Sequence, residues 1–172
     1  MYSYSSHDSY TRYASLENRP VFITGGATGI GASLVEAFLA QGALVAYVDV
    51  DQEAAEQLNA HLLTKGLPRP LFQLCDVSDI EALRTCIYNA QKQLGDIRVL
   101  INNAANDQRY ATQSLTEVQW HQGLAVNLHP VFFSAQTVQP MMKAQGGGSI
   151  VNISSINTHF APPNLASYIA AK

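Results

Sequence analysis

The sequence predicts an α/β protein built on a doubly wound parallel sheet with helices on both faces. From Pro20 onward, short apolar runs alternate with amphipathic stretches of helical periodicity, which is the pattern of strands joined by helices. A glycine-rich turn directly follows the first apolar run. Strands separated by helices pair in parallel through right-handed crossovers, so we expect ligands to bind beyond the carboxyl ends of the strands.

Five apolar runs predict the strands, and the stretches between them predict the helices. The predicted strands are Val21–Thr24, Leu44–Asp49, Leu71–Asp76, Ile97–Asn102 and Ser149–Ser154. Helices are expected over about Gly29–Gln41, over about Gln52–Thr64, from a capping box at Ser78–Glu81 to near Gly95, and from near Ala166. A second capping box, Thr116–Gln119, is expected to open one long helix with Asn127 and Pro130 in its interior.

The chain of 172 residues is long enough for one domain with a proper core. Residues 1–18, rich in Ser and Tyr, are expected to be a mobile tail, and residues 19–172 the domain. With a net charge of −3, the chain has no basic surface that would indicate nucleic-acid binding. No apolar run is long enough for a membrane span, and we expect a cytoplasmic protein. Cys75 and Cys86 have no metal-ligand spacing and are expected to be reduced thiols.

The turn Thr24–Gly31, with the sequence TGGATGIG, joins the first strand to the first helix. Its glycines let the backbone approach a pyrophosphate, and the helix N-terminus offers free N–H groups and a positive dipole. The spacing G-x-x-x-G-x-G differs from the commoner G-x-G-x-x-G fingerprint and lacks the Gly-Lys-Ser/Thr ending of a triphosphate loop. Taken alone, the turn fits a methyltransferase-like fold or a tight corner equally well.

Acidic, amide and small residues follow the next strands. Asp49 ends the second strand, where a carboxylate accepts hydrogen bonds from the adenosine ribose and repels a 2′-phosphate, which favours NAD over NADP. A solvated turn carboxylate is the alternative interpretation, and Asp51 competes for the role. Asp76-Val77 and Asn102–Ala105 are expected to line an adenine pocket, although Asp and Asn favour strand ends in any case.

The residues that point to catalysis are Ser155, Tyr168 and Lys172, with Asn127 behind them. Tyr168 and Lys172 are four residues apart, which places a phenol and an ammonium on one face of a helix. A nearby cation favours phenolate, so we expect Lys172 to lower the pKa of Tyr168 and make it usable as a general acid or base. Lys172 can also donate to the nicotinamide ribose, and Ser155 can hold the reacting oxygen of the substrate.

The order of these motifs resembles the short-chain dehydrogenase/reductase family of the classical type, from about Pro20 to Lys172. The motifs are TGGATGIG, DV, NNAA, VNL, SIVNISS and YIAAK. The resemblance implies a Rossmann-like fold, Tyr168 as catalytic acid/base, Lys172 as its partner, Ser155 as the substrate-orienting group and Asn127 as holder of a relay water. It implies an NAD site at Gly25, Thr28, Gly29, Ile30, Gly31, Asp49, Asp76, Val77, Asn103, Tyr168 and Lys172. The sequence departs from the family at Ala105, where glycine is usual.

The loops after the fourth and fifth strands suggest a sugar as the substrate. Asn106, Arg109, Asn157 and His159 place hydrogen-bonding groups near the expected site, as a polyhydroxylated substrate requires. These patterns resemble family members that oxidise aldoses such as xylose to lactones. Ordinary solvated loop residues are the alternative interpretation. His159 has no second ligand at a suitable spacing, so no metal is expected.

Lys172 is the last residue of the sequence, so we expect a fold that is C-terminally incomplete, cut after the start of its last helix. We expect this 172-residue chain to have little or no dehydrogenase activity alone, and the complete form to be a homo-oligomer. The function expected first is NAD-dependent hydride transfer with an alcohol, carbonyl or sugar substrate. A non-catalytic dinucleotide sensor, or an inactive fragment of such an enzyme, is the second interpretation, and a methyltransferase is the third.

Overall fold

A computed structural model describes residues 11–172, and it confirms the predicted fold class. Five strands form one sheet in the order β3-β2-β1-β4-β5. Their bounds are β1 Pro20–Thr24, β2 Leu44–Asp49, β3 Leu71–Leu74, β4 Val99–Asn102 and β5 Ser149–Asn152. Every neighbouring pair is parallel. Because chain order and spatial order reverse at β1, the crevice beyond the carboxyl ends of β1 and β4 is where ligands bind in such sheets.

Seven α-helices lie within the described residues and connect or follow the strands. They are α1 Gly29–Ala40, α2 Gln52–Thr64, α3 Ile80–Leu94, α4 Glu117–Asn127, α5 His129–Ala144, α6 Asn157–Phe160 and α7 Ala166–Ala171. No helix in residues 11–172 is long and apolar enough to cross a membrane.

The core lies on both faces of the sheet, which accounts for the continuous apolar run of β1. All five residues of β1 are buried. Successive side chains of a strand point to opposite faces, so Phe22 packs in one apolar cluster while Val21 and Ile23 pack in the other. α3 and α5 cover the first face, and α1 and α2 cover the second. A strand buried on both faces needs no polar alternation.

The first predicted capping box is wrong in its N-cap residue, whereas the second is confirmed. Asp79, not Ser78, caps α3, because its side chain accepts a hydrogen bond from the Ala82 N–H at 3.0 Å. Ser78 is instead held by Asp76, whose Oδ1 accepts both the Ser78 N–H and its hydroxyl. At α4, Thr116 and Gln119 form the reciprocal pair that the sequence predicts.

The long helix predicted after Thr116 is wrong: it is two helices, α4 and α5, with Leu128 between them. Pro130 has no N–H to donate and its ring crowds the preceding turn, so a continuous helix through it is unfavourable. In the first turn of α5 the missing N–H has no cost, and Pro130 lies there. Three strands are also shorter than predicted, since β3 ends at Leu74, β4 begins at Val99 and β5 ends at Asn152.

The segment expected to be a mobile tail falls mainly on residues 1–10, which lie outside the described residues, so that expectation stays a prediction. Beyond them, Ala14–Leu16 form one turn of 3₁₀ helix. The Tyr13 N–H donates to the Gln41 side chain at 2.8 Å, and the Asn18 N–H donates to the Gly42 carbonyl at 2.8 Å.

A buried polar network ties β4, β5 and α5 together. The Asn102 amide donates to the Asn152 side chain at 2.9 Å, and the Ser134 hydroxyl donates to the Asn102 Oδ1 at 2.8 Å. Asn102 is 4% exposed and Ser134 is fully buried. Leaving a buried polar atom without a hydrogen bond destabilises the folded state, so this network fixes how α5 lies on the sheet.

Replacing Ser134 with alanine should lower the free energy of unfolding by about 1–3 kcal/mol, because the Asn102 Oδ1 loses its donor. Urea denaturation followed by circular dichroism measures this change. Ser33→Ala is the matched control, since the exposed Ser33 hydroxyl only bonds the Gly29 carbonyl within α1. Equal small effects from both variants would contradict the buried network.

Candidate active site

A cavity of about 520 Å³ opens at the carboxyl edge of the sheet. Its wall comes from the turn after β1 and from the residues at the ends of β2, β3 and β4. The lining residues are Gly25, Thr28, Gly29, Ile30, Asp49, Val50, Cys75, Asp76, Val77, Asn103, Ala104, Ala105, Asn106 and Val126. The structure thus brings together eight of the residues predicted to hold a cofactor, and the volume falls in the range of small-molecule sites.

The glycine turn has the shape that its sequence predicts. Gly25 and Gly29 have positive φ values of +66° and +53°, which favour glycine. A Cβ on Gly31 would lie 1.8 Å from the Gly25 carbonyl oxygen, so Gly31 lets α1 pack directly on the turn. A Cβ on Gly29 would meet nothing within 4 Å, so the space in front of that residue is open.

The N-terminus of α1 faces this open space with unused donors. Thr28 is its N-cap residue and makes no side-chain capping bond. The N–H groups of Gly29, Ile30 and Gly31 donate to no group in residues 11–172. Free N–H groups and the positive end of the helix dipole attract an anionic group such as a pyrophosphate.

Asp49 is held in the cavity wall by three backbone donors. Its Oδ2 accepts the Ala27 N–H at 2.9 Å, and its Oδ1 accepts the N–H groups of Val50 at 2.8 Å and Asp51 at 3.2 Å. Asp51, the competing residue, caps α2 through a bond from the Ala54 N–H at 2.9 Å. The geometry therefore gives the two carboxylates different positions, and Asp49 is the one that lines the cavity.

Asn103 joins the ends of β1 and β4. Its amide donates to the Gly25 carbonyl at 2.8 Å, and the Thr24 hydroxyl oxygen accepts the N–H groups of Asn103 at 3.0 Å and Ala104 at 3.1 Å. A Cβ on Gly25 would lie 2.7 Å from the Ala104 Cα. This close approach to the Ala104 backbone leaves no room for a side chain at position 25. Ala105, the departure from the family pattern, lies in the cavity wall.

Three lining residues were not among those predicted to line the site: Val50, Cys75 and Val126. Val50 and Cys75 are next to predicted residues at the ends of β2 and β3, so the end of a strand is the signal that could have found them. Val126 lies on α4, and only its position before Asn127 hints at a role. Cys75 is a buried free thiol, as is Cys86.

Lys172 joins α7 to the end of β5. Its ammonium donates to the Ile153 carbonyl at 3.0 Å, and the Ser154 hydroxyl donates to the Lys172 carbonyl at 3.0 Å. The Lys172 Nζ lies 5.8 Å from the centre of the Tyr168 ring. Burial lowers the pKa of the Lys172 ammonium below its ordinary value. Tyr168 in α7 and Lys172 directly after α7 therefore lie near each other, beside the loop that carries Ser155.

Ser155 and Tyr168 are both partly buried. The Ser155 hydroxyl oxygen accepts the Asn157 N–H at 3.2 Å, which leaves its hydrogen available to another acceptor. The Tyr168 hydroxyl makes no hydrogen bond to any group in the described part of the chain, so it can meet a ligand.

Asn127, the last residue of α4, is 1% exposed and clamps the loop after β4. Its amide donates to the Asn106 and Gly123 carbonyls, each at 2.9 Å, and its Oδ1 accepts the Asn106 N–H at 2.9 Å. Both amide hydrogens are thereby used. A relay water at Asn127 would have to be held by one of its oxygens.

One of the four predicted substrate residues lines the cofactor cavity. Asn106 lines the cavity, whereas Arg109 is an exposed loop residue. Asn157 and the exposed His159 lie on the short helix α6. Their roles stay predictions.

The sequence profile described as short chain dehydrogenase matches residues 19–172. The chain belongs to the short-chain dehydrogenase family. Dehydrogenases of this family use a nicotinamide dinucleotide. The cavity fits such a group, because its glycine turn leaves open space before free N–H groups and a carboxylate lies at the end of β2.

Sugar dehydrogenases are among the similar proteins. The chain is 44% identical over 162 residues to a protein named "Probable galactose dehydrogenase" from Rhizobium meliloti, covering 94% of the chain and 63% of that protein. It is 38% identical over 160 residues to a D-xylose 1-dehydrogenase of Caulobacter vibrioides, covering 93% of the chain and 62% of that protein. The chain therefore spans less than two thirds of the length of these relatives.

A solved structure has the same architecture. The short-chain dehydrogenase from Mycobacterium smegmatis superposes with a TM-score of 0.86 at 28% identity, covering 95% of this chain and 69% of that one. The likeness supports the fold of the described chain.

Gly31→Ala should weaken binding of NADH by more than about tenfold, because the new methyl group forces α1 away from the Gly25 carbonyl and displaces the donors. Titration calorimetry measures this change. Gly66→Ala is the control, because Gly66 lies in the turn after α2, away from the cavity, and a Cβ there would meet nothing within 4 Å. Unchanged NADH affinity in Gly31→Ala would count against the turn as the pyrophosphate site.

Proposed function

We propose that this chain carries the cofactor site and catalytic residues of an NAD-dependent dehydrogenase that oxidises a sugar to its lactone. The observation that carries the cofactor choice is the Asp49 carboxylate in the cavity wall, where no Lys, Arg or His lines the cavity among the described residues. An acidic group at the end of β2 accepts ribose hydroxyls and repels a 2′-phosphate. This supports NAD over NADP.

The proposed chemistry divides between the cofactor and three side chains. When bound, the nicotinamide accepts a hydride from the carbon that bears the reacting hydroxyl. The Tyr168 oxygen takes the proton of that hydroxyl as a general base. Lys172, fixed by the Ile153 carbonyl, supplies a positive charge that favours the phenolate. Ser155 donates its free hydrogen to the substrate oxygen and orients it.

The substrate class rests on the relatives and on polar loop residues. The galactose and xylose dehydrogenases named above act on aldoses by name, and the chain shares 44% and 38% identity with them. Asn106, Arg109, Asn157 and His159 remain the proposed sugar-binding residues. The cytoplasmic location and the homo-oligomeric state expected from the sequence also stay predictions.

Asp49→Ala should reduce the preference for NADH over NADPH by about tenfold or more, because repulsion of the 2′-phosphate and the ribose hydrogen bonds disappear together. The ratio of the two dissociation constants, measured by calorimetry, reports this preference. Asp51→Ala is the matched control: it removes a neighbouring carboxylate that caps α2 and should leave the ratio unchanged. A wild-type chain that binds NADPH better than NADH would refute the NAD assignment.

Tyr168→Phe should lower turnover of D-galactose or D-xylose by about 100-fold or more, while NADH affinity changes little, because only the proton acceptor is lost. The measurement uses the full natural polypeptide that contains these residues and follows NADH absorbance. Tyr88→Phe, on the exposed face of α3, is the control and should keep full turnover. If the Tyr168 variant kept its activity, Tyr168 would not be the proton acceptor. If wild type bound NADH without turnover of any alcohol or sugar, the sensor interpretation would replace the enzyme.

A further inference from the structure

A second pocket of about 320 Å³ lies beside the cofactor cavity, between the loop after β4 and residues 119–126 of α4. We call it the amide pocket. It is lined by Asp76, Ser78, Asn106, Gln108, Tyr110, Gln119, Gln122, Gly123, Ala125, Val126 and Ser167. Asp76, Asn106 and Val126 line both spaces, so the two spaces adjoin at these residues. Tyr168, Ser155 and Lys172 do not line it.

The charge of the amide pocket favours a neutral ligand. Asp76 is the only charged residue in its wall within the described chain, and its Oδ1 already accepts two hydrogen bonds from Ser78. An anionic ligand would meet no cationic side chain there. The apolar part of the wall consists of Ala125, Val126 and Gly123, which is too little apolar surface to bind a lipid.

The Ser167 hydroxyl is available to a ligand at the wall of the amide pocket. Ser167 is 5% exposed, and its hydroxyl makes no hydrogen bond to any group in residues 11–172. Its hydroxyl lies against Gly123, where a Cβ would come within 2.4 Å of the Ser167 Oγ. The glycine therefore leaves this hydroxyl room at the pocket wall.

Other polar side chains of the wall are also unpaired. The Gln122 amide and the Tyr110 hydroxyl make no hydrogen bond within the part of the chain that the structure describes. Together with Ser167 they offer both donors and acceptors from α4, from α7 and from the loop after β4. A ligand hydroxyl likewise donates one hydrogen bond and accepts others, so a molecule with several hydroxyls matches this set.

We propose that the amide pocket binds a neutral polyhydroxylated molecule, a monosaccharide or a cyclic polyol, at a position separate from Tyr168. Its volume is sufficient for a small ligand. Binding there needs neither cofactor nor hydride transfer, although Asp76 and Asn106 line the cofactor cavity as well. The chain would then bind molecules of the same chemical class as the proposed substrate at a second position.

The test uses the ¹⁵N-labelled 172-residue chain without cofactor, titrated with myo-inositol, D-galactose and D-gluconate. Myo-inositol has no anomeric carbon and forms no lactone, so it is not a substrate of the proposed reaction, and the positions of the shifted signals report where it binds. We expect saturable shifts of the Gln122 and Gln119 side-chain amide signals with myo-inositol and D-galactose, and weaker binding of the anionic gluconate because Asp76 repels it.

Two variants locate the site. Gln122→Ala and Ser167→Ala should each weaken myo-inositol binding by about tenfold, because each removes one hydrogen-bonding group. Gln139→Ala is the matched control, since Gln139 is an exposed glutamine on α5 and does not line the pocket. Gln122 is exposed, so its variant keeps the fold even if Ser167→Ala does not.

Shifts that grow linearly without saturation, or equal affinity in Gln122→Ala and wild type, would overturn the proposal. Failure of the proposed dehydrogenase function would appear separately, as absence of NADH binding or of turnover.

Discussion

The contact between Gly31 and the Gly25 carbonyl is the constraint on which the site depends. With no side chain at Gly31, the first turn of α1 packs on the glycine turn so closely that a Cβ would lie 1.8 Å from the Gly25 oxygen. This brings the free N–H groups of α1 to the carboxyl edge of the central strand. Any larger residue would displace the positive end of the helix from the cavity.

The positions of the catalytic residues depend on longer-range packing, in which the glycine turn takes no part. Lys172 is fixed by the Ile153 carbonyl at the end of β5, and α7 lies close to α4 because Gly123 has no side chain against Ser167. Asn127 at the end of α4 holds the loop after β4 through Asn106. The cofactor cavity and the catalytic helix are therefore positioned by different contacts that meet at Asn106.

Much of the fold and the cavity could be predicted because their signals are local. Asp49 and Asn103 follow apolar runs directly, and strand ends in a parallel sheet meet at one edge. Leu128 interrupts the predicted long helix because Pro130 belongs in a first turn, and Asp79 caps α3 because Asp76 already binds Ser78. Both outcomes depend on what the residues next to the helix end do, so the capping pattern alone does not predict them. The amide pocket could not be predicted, since it requires the packing of α7 on α4.

The carboxyl edge of this sheet is expected to hold a nicotinamide dinucleotide, and backbone chemical-shift mapping of NADH on the ¹⁵N-labelled chain measures this. We expect saturable shifts concentrated at Gly25, Gly29, Asp49, Val77 and Asn103, with signals of α2 and of the opposite sheet edge unmoved. A folded chain that shows no saturable shift, or shifts centred away from the glycine turn, would contradict it.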